Sequence, residues 1–423
     1  MDYKKIILDN GLKLLTCHMP HTRSVSVLLF VTAGSCYESD DIAGISHFIE
    51  HMCFKGTKNR ATSRDISEAI EGVGGIMNGG TDREMTSYWC KLASRHFELA
   101  VDVLVDLLRN PLFRAEDVDK ERQVIIEEIN MSLDSPQQRA GMLFDELMWP
   151  GGPMGRDVAG TKETVTAIGC PQMLKYLNGY YTPENILISI AGDVEDDRVI
   201  SVVERYMGDW KKGIKPEYLL SKTNQEKSRL RVEYRDTEQV NLLLGVEGPS
   251  IFHPDRFTAD LLSMILGEGM SSRLFTEIRE KLGLTYDIHS YVEHFRESGT
   301  FMVQAGIEPA QTAKAVRAVL DQLALLVRYG ISASELNKSK EMAKGRLLLS
   351  MENSRNVAGW YGAQEILTGK IMTVDDVTQE VDKVTVEDIQ RVAGELFVTD
   401  KLNLAAVGPI KEKDIVAGSL QIE

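Results

Sequence analysis

Cysteine is scarce in this chain: five residues in 423, an odd set with no Cys-x-x-Cys spacing and none beyond Cys170. That argues against a disulfide framework and fits thiols kept reduced. Long apolar runs are missing as well, and none approaches the length of a membrane span. The N-terminal Met1 to Leu8 stretch lacks the apolar core and small-residue cleavage site of a secretory signal. The expected address is the cytoplasm, with no membrane as partner. There is no basic surplus: 48 Lys and Arg against 63 Asp and Glu leave a formal charge of −15. A nucleic-acid partner is thereby disfavoured, because few cations are free to displace phosphate counterions. The plain meaning of this acidity is a solvated surface. The remaining composition, 43% hydrophobic and 26% charged, is that of a folded globular protein whose length calls for two or more domains.

What is present is concentrated between Gly44 and Gly56. His47 and His51 are one helical turn apart, with Glu50 beside them. Two imidazoles and a carboxylate so spaced can hold zinc and take a proton from water that the metal polarises. Ile42, Ile45, Phe48, Ile49, Met52 and Cys53 fall on the opposite side, so the expected helix is buried on one face and chemically armed on the other. Taken alone, such a triplet also arises as an exposed polar helix face. A zinc site needs a third ligand, and another helix offers one. From Ala115 to Leu133, Val118, Val124, Ile125 and Ile129 centre an apolar face, and Glu121 and Glu128 project near it. Glu127 points about 100° away from Glu128. Carboxylates on an inward face are costly unless paired or metal-bound. Glu128 is the expected ligand, and Glu121 its hydrogen-bonding or proton-transfer support. The other six histidines show no paired spacing.

The order of elements predicts an α+β fold. Lys4 to Leu8, Leu12 to Cys17 and Ser24 to Thr32 read as antiparallel strands with one face buried, followed by the His47 helix and a helix over 64–73. Ile76 to Leu92 reads as strand, turn, strand; long helices and a returning strand at Asn185 to Ala191 come next. Between Lys211 and Arg229 the sequence turns polar and aperiodic. After it the first half is restated: Ala115-Glu-Asp-Val-Asp-Lys returns as Ala333-Ser-Glu-Leu-Asn-Lys, and the segments from Thr164 and Val381 each lead to a matching strand. Two duplicated domains follow from this, each an antiparallel-rich sheet packed by helices: 1–212 with the zinc site, a linker over 213–228, and 229–423. The second domain has no His-x-x-Glu-His, since Phe257 to Gly267 reads as an apolar helix.

His47-Phe-Ile-Glu-His51 with Glu128 downstream resembles the inverted zinc signature of the insulinase-like metallopeptidases, the family of pitrilysin and the mitochondrial processing peptidase. The likeness extends over the chain through Phe54-Lys-Gly-Thr57, Gly74-Gly75, Asn78, Arg83-Glu84, Pro183-Glu-Asn185 and the run from Gly269 to Tyr286. It implies a zinc endopeptidase acting on peptides or unfolded segments, with one Zn2+ per chain held by His47, His51 and Glu128. Glu50 would be the general base that activates the water, and Glu121 would support the site by hydrogen bonding. Arg279 and Tyr286 match the pair that reaches the substrate near the scissile bond. Asn78, Gly79, Gly80 and Thr81 would be an edge strand that a peptide joins by main-chain hydrogen bonds. Gly79-Gly80 stands where the family more often has alanine and an aromatic, so a more flexible and less shaped edge with little side-chain selectivity is expected. The length resembles the short subfamily, in which two chains complete one chamber, so a homodimer is expected and a different partner chain is the variant. The competing implication is a non-catalytic partner subunit of a heteromeric processing peptidase; members of that kind lose the zinc residues that this chain keeps.

Overall fold

The computed structural model describes residues 3–213, 217–221, 224–415 and 420–422. The expected linker, 213–228, lies partly outside them. In the first half the chain runs through β1 (Lys4–Ile7), β2 (Lys13–His18), β3 (Ser24–Val31), α1 (Ile45–Cys53), α2 (Ser63–Glu71), β4 (Ile76–Thr81) and β5 (Thr86–Ala93). It continues with α3 (Phe97–Arg109), α4 (Ala115–Asp134), α5 (Pro136–Met148), α6 (Lys162–Ala167), α7 (Cys170–Tyr180), β6 (Ile186–Gly192) and α8 (Asp196–Met207). The second half holds β7 (Arg229–Tyr234), β8 (Val240–Gly248), α9 (Arg256–Gly267), β9 (Thr285–His294), β10 (Gly299–Ile307) and α10 (Thr312–Tyr329). It closes with α11 (Ala333–Ser350), α12 (Ser354–Thr368), α13 (Val374–Lys383), α14 (Val386–Leu396) and β11 (Asn403–Gly408). The fold is α+β, as expected. Among the described residues no helix is long and apolar enough to cross a membrane, and no disulfide joins the cysteines.

Two compact units form, and they are not the contiguous halves of the sequence. Unit 1 comprises 1–129, 156–220 and 348–374; unit 2 comprises 130–155, 221–347 and 375–423. Each unit thus takes one helix from the other half: α12 joins the first sheet and α5 the second. The expected boundaries at 212 and 229 carry no sign of this exchange, because helix α5 was not foreseen and α12 has a weak amphipathic pattern.

The sheet of unit 1 has the order β1-β2-β6-β3-β5-β4. The expected pairing of β2 with β3 is corrected here: β6 returns between them, parallel to β2 and antiparallel to β3. The expectation that β3 is buried on one face is also corrected, for α3 covers one side and α12 the other. The small polar residues that look like a solvent face are used by α12. Ser26 Oγ meets Ser354 Oγ at 2.9 Å, and Ser189 Oγ donates to the Ala358 carbonyl at 2.7 Å. Paired hydroxyls of this kind let polar atoms sit in a core without an unsatisfied group. β4 is an edge strand, with β5 on one side only. The sheet of unit 2 has the order β7-β11-β8-β10-β9, with α5 lying on β8 and β11.

Candidate metal centre

Helix α1 begins at Gly44, whose φ of 93° places it in the left-handed region. A Cβ there would stand 2.4 Å from the Ala159 carbonyl oxygen, so the position requires glycine on two counts. The helix is more deeply set than its pattern suggests. Ile45, Phe48, Ile49, Met52 and Cys53 are buried, but so is Glu50, at 8% exposure. Ile42 belongs to the 3-10 turn before the helix rather than to its apolar face. Only His47 and His51 keep partial access to solvent.

The two imidazole rings stand nearly perpendicular with centroids 4.5 Å apart, and their Nε2 atoms face each other at 3.1 Å. Helix α4 brings two carboxylates to them. Glu128 Oε2 is 3.6 Å from His51 Nε2 and 3.8 Å from His47 Nε2. Glu121 Oε1 is 2.8 Å from His51 Nδ1, on the far side of the ring. Its second oxygen pairs with Lys55 Nζ at 2.5 Å. The two acids differ in setting: Glu121 is buried, whereas the Glu128 side chain is 43% exposed. Val124, expected on the inward face, is exposed; Val118, Ile125 and Ile129 are the buried residues of that helix with Glu121.

Burial holds His47 down to about 4, and the neighbouring His51 adds to the effect, so its ring is neutral near neutrality. Burial also acts to lower His51, but the surrounding Glu121, Glu128 and Glu50 carboxylates outweigh it and raise its affinity for a proton. For Glu121, burial opposes ionisation and is overcome by hydrogen bonds from His51 and Lys55, which keep it below the ordinary range. Glu50 is pushed up by burial, against the opposing pull of His51 and the Thr81 hydroxyl.

The donor set fits a zinc ion. In a neutral His51 the proton sits on Nδ1 against Glu121, leaving the Nε2 lone pair directed at His47. His47 Nε2 can meet that lone pair by donating a proton to it, or, with its own proton on Nδ1, can turn a second lone pair toward a cation shared with the Glu128 oxygen. The separations of 3.1, 3.6 and 3.8 Å span the roughly 3.4 Å edge of a tetrahedron whose centre is about 2.1 Å from its corners, the zinc bond length to nitrogen and oxygen. Glu50 also offers a carboxylate oxygen within 4.8 Å of both imidazoles. Its Oε2 accepts from Thr81 Oγ1 at 3.4 Å.

Strand β4 runs beside this cluster. A Cβ on Gly79 would lie 2.6 Å from Glu50 Oε1 and 2.9 Å from the Phe54 ring, whereas one on Gly80 would meet nothing within 4 Å. The glycine pair therefore has two meanings: the first lets the Glu50 carboxylate lie against the strand, and the second leaves open space. Sequence reasoning took both as loss of shape and missed this packing, as it missed Lys55. The signal for Lys55 was its place four residues after His51.

Arg279 and Tyr286 belong to unit 2. Arg279 lies in a π-helical segment, Phe275–Lys281, with its guanidinium 4.4 Å from the Phe275 ring centroid and 4.9 Å from that of Tyr286. Tyr286 is 78% exposed. A guanidinium this close to two ring faces is attracted by both ring quadrupoles. π-helical turns are rare and recur at functional sites.

Residues 13–162 match the family model described as insulinase (peptidase family M16), and residues 170–343 match the one described as peptidase M16 inactive domain. An uncharacterized zinc protease of Bacillus subtilis, YmxG, is 34% identical over 412 residues, 96% of this chain and 98% of that one. An uncharacterized zinc protease of Mycobacterium leprae is 34% identical over 98% of this chain and 94% of its own length. Among solved structures, a protease from Helicobacter pylori superposes with a TM-score of 0.90 at 24% identity, covering 96% of this chain and 99% of that one. A peptidase M16 inactive domain from Pseudomonas fluorescens gives the same TM-score at 20% identity, covering 97% and 99%.

Proposed function

The chain belongs to peptidase family M16, the insulinase family, and on that footing we propose that it is a zinc-dependent endopeptidase of peptides or unfolded protein segments. The observation that carries this reading is the convergence of His47 Nε2, His51 Nε2 and Glu128 Oε2. These three would hold one Zn2+ per chain. Zinc so bound lowers the pKa of water and polarises a peptide carbonyl.

The chain's own groups do the rest. Glu50 is the base: its carboxyl, raised by burial, takes a proton at Oε1 or Oε2 and can return it to the leaving amine. Thr81 Oγ1 and the bare backbone of Gly79 hold that carboxylate in place. Glu121 fixes the ring orientation of His51 through Nδ1, and Lys55 holds Glu121 ionised. The free edge of β4, Asn78 to Thr81, offers backbone groups to an extended peptide, which sets the substrate class as unfolded chain. With Gly80 open, that strand imposes little side-chain selection there. Arg279 and Tyr286 supply a guanidinium and a phenol suited to a developing oxyanion, on the strength of the family resemblance.

Two further readings go with this. Cysteines outside any disulfide suit a reducing cytoplasm. A homodimer is proposed from the likeness to short members of the family, and light scattering tests it, a strictly monomeric active species being the contrary result. The match of residues 170–343 to an inactive-domain model concerns the part of the chain without histidine pairs, so it leaves the zinc residues of unit 1 untouched. The test of the function is metal analysis of the purified protein together with cleavage of a quenched peptide library. Activity removed by a chelator and restored by zinc is expected; chelator-insensitive activity, or none with a full complement of zinc, would refute the assignment.

A further inference from the structure

Helix α1 has no capping side chain of its own. Its N-cap, Gly44, has no side chain at all, and the close approach of Ala159 forbids one. The orphan N–H groups of its first turn nevertheless find an acceptor. Glu38, six residues before Gly44 and wholly buried, accepts from Gly44 N at Oε2 and from Ser46 N at Oε1, both at 2.8 Å. A buried carboxylate is costly unless hydrogen-bonded, and the positive end of a helix is where an anion is best placed. The segment that carries Glu38 is itself pinned: Arg156 Nη2 donates to the Glu38 carbonyl at 2.7 Å and to the Ser35 carbonyl at 2.9 Å. Ser46 is tied a second time, its hydroxyl lying 2.9 Å from that of Tyr176.

Ser46 directly precedes His47, so these contacts fix the start of the helix on which both imidazoles and Glu50 ride. We propose that Glu38 is a positioning residue for the metal site: by bridging Gly44 N and Ser46 N it sets where α1 begins and hence how its imidazoles meet the carboxylates of α4. Two acceptor oxygens are needed because two divergent N–H groups must be held at once. A neutral amide in the same place would offer one oxygen and turn an NH2 group toward the other donor. The inference rests on the zinc reading of that site, and its test separates the two.

The experiment measures zinc affinity by chelator competition, melting temperature, and kcat and KM for wild type, Glu38→Gln, Glu38→Asp and Tyr176→Phe. The expected result is a loss of zinc affinity of about 10–100-fold for Glu38→Gln, the range seen when a group orienting a ligand is removed. Its kcat should fall with KM within about two-fold. Glu38→Asp, which keeps the charge on a shorter stem, should be intermediate. Tyr176→Phe, which leaves the carboxylate bridge intact, should bind zinc as wild type does. A folded Glu38→Gln with a lower melting temperature but unchanged zinc affinity and kcat would reduce Glu38 to a stabilising residue and overturn the proposal. Should Glu38→Gln fail to fold, amide exchange in the wild type decides: Gly44 and Ser46 N–H protected like the helix interior support the bridge, and exchange like a frayed end refutes it. A wild type that holds no zinc yet shows that protection would sink the zinc reading and leave the cap standing.

Discussion

Helix α1 of unit 1 and helix α9 of unit 2 hold comparable places in two similar units, and their chemistry is opposite. α1 carries two imidazoles and a buried carboxylate; α9 carries Leu261, Leu262, Ile265 and Leu266 with the buried hydroxyls of Thr258 and Ser263. The partner helices repeat the contrast. With Ala115 aligned to Ala333, Glu121 falls on Ser339 and Glu128 on Arg346. Glu121 grips His51, whereas Ser339 turns its hydroxyl back onto the Glu335 carbonyl one turn earlier at 3.0 Å. Glu128 faces the Nε2 atoms of both imidazoles; Arg346 Nη1 instead pairs with Glu268 Oε2 at 2.5 Å. The lesson is that the sheet and helices tolerate either set, and the metal chemistry resides in a few side chains on two helices.

The sharpest way to break that contrast is to remove a ligand from α1. His47→Ala should abolish stoichiometric zinc, measured by atomic emission, and cost more activity than the about 10–100-fold that orienting groups are worth. In α9, Ser263→Ala should change only stability, by about 1 kcal/mol for a buried hydroxyl that bonds Ser290. Next in size is the α4–α11 pair. Glu121→Gln should weaken zinc binding by about 10–100-fold in chelator competition, and Ser339→Ala should leave it unchanged.

A smaller effect distinguishes the two glycines of β4. Gly79→Ala should lower kcat by roughly ten-fold without loss of zinc, because the new methyl displaces the Glu50 carboxylate and small misplacements of a base are costly. Gly80→Ala should be kinetically silent. The smallest expected effect lies in unit 2, at the partly exposed ion pair of Arg273 and Glu335. For Glu335, burial opposes ionisation, but Arg273 and the Ser332 N–H overcome it and hold the carboxyl at about 2, against an ordinary 4.5. A depressed folded-state pKa means stability that is complete above the ordinary value and lost as pH falls from about 4.5 toward 2. Denaturant midpoints of Glu335→Gln against wild type should therefore differ near neutrality and converge in that acid range.

Much of unit 1 was legible because its chemistry is local. The turn spacing of His47 and His51 is a property of one helix, and the choice of Glu128 over Glu127 follows from the direction each takes on another. The duplication was visible in the echo of Ala115 at Ala333, and the Asn78 to Thr81 strand does lie at a sheet edge. What escaped were long-range exchanges. The insertion of β6 between β2 and β3 joins strands far apart in sequence, which alternation cannot report. The covering of Ser26 and Ser189 by α12 turned an apparent solvent face into a core. Val124 was misplaced because an apolar residue on a helix is only weak evidence for burial. Gly79 was misread because the close approach of Glu50 is a tertiary contact that no local rule contains.

The most direct measurement is cleavage of a quenched peptide library by zinc-loaded wild type and zinc-loaded Glu50→Gln. Glu50 is not one of the three groups that would hold the metal, so the substitution tests the base while leaving His47, His51 and Glu128 in place. Equal zinc content with a loss of cleavage of about 10²–10⁴-fold is predicted, the usual worth of a general base. Equal cleavage by both proteins would contradict the assignment of a metal-dependent peptidase centre to α1 and α4.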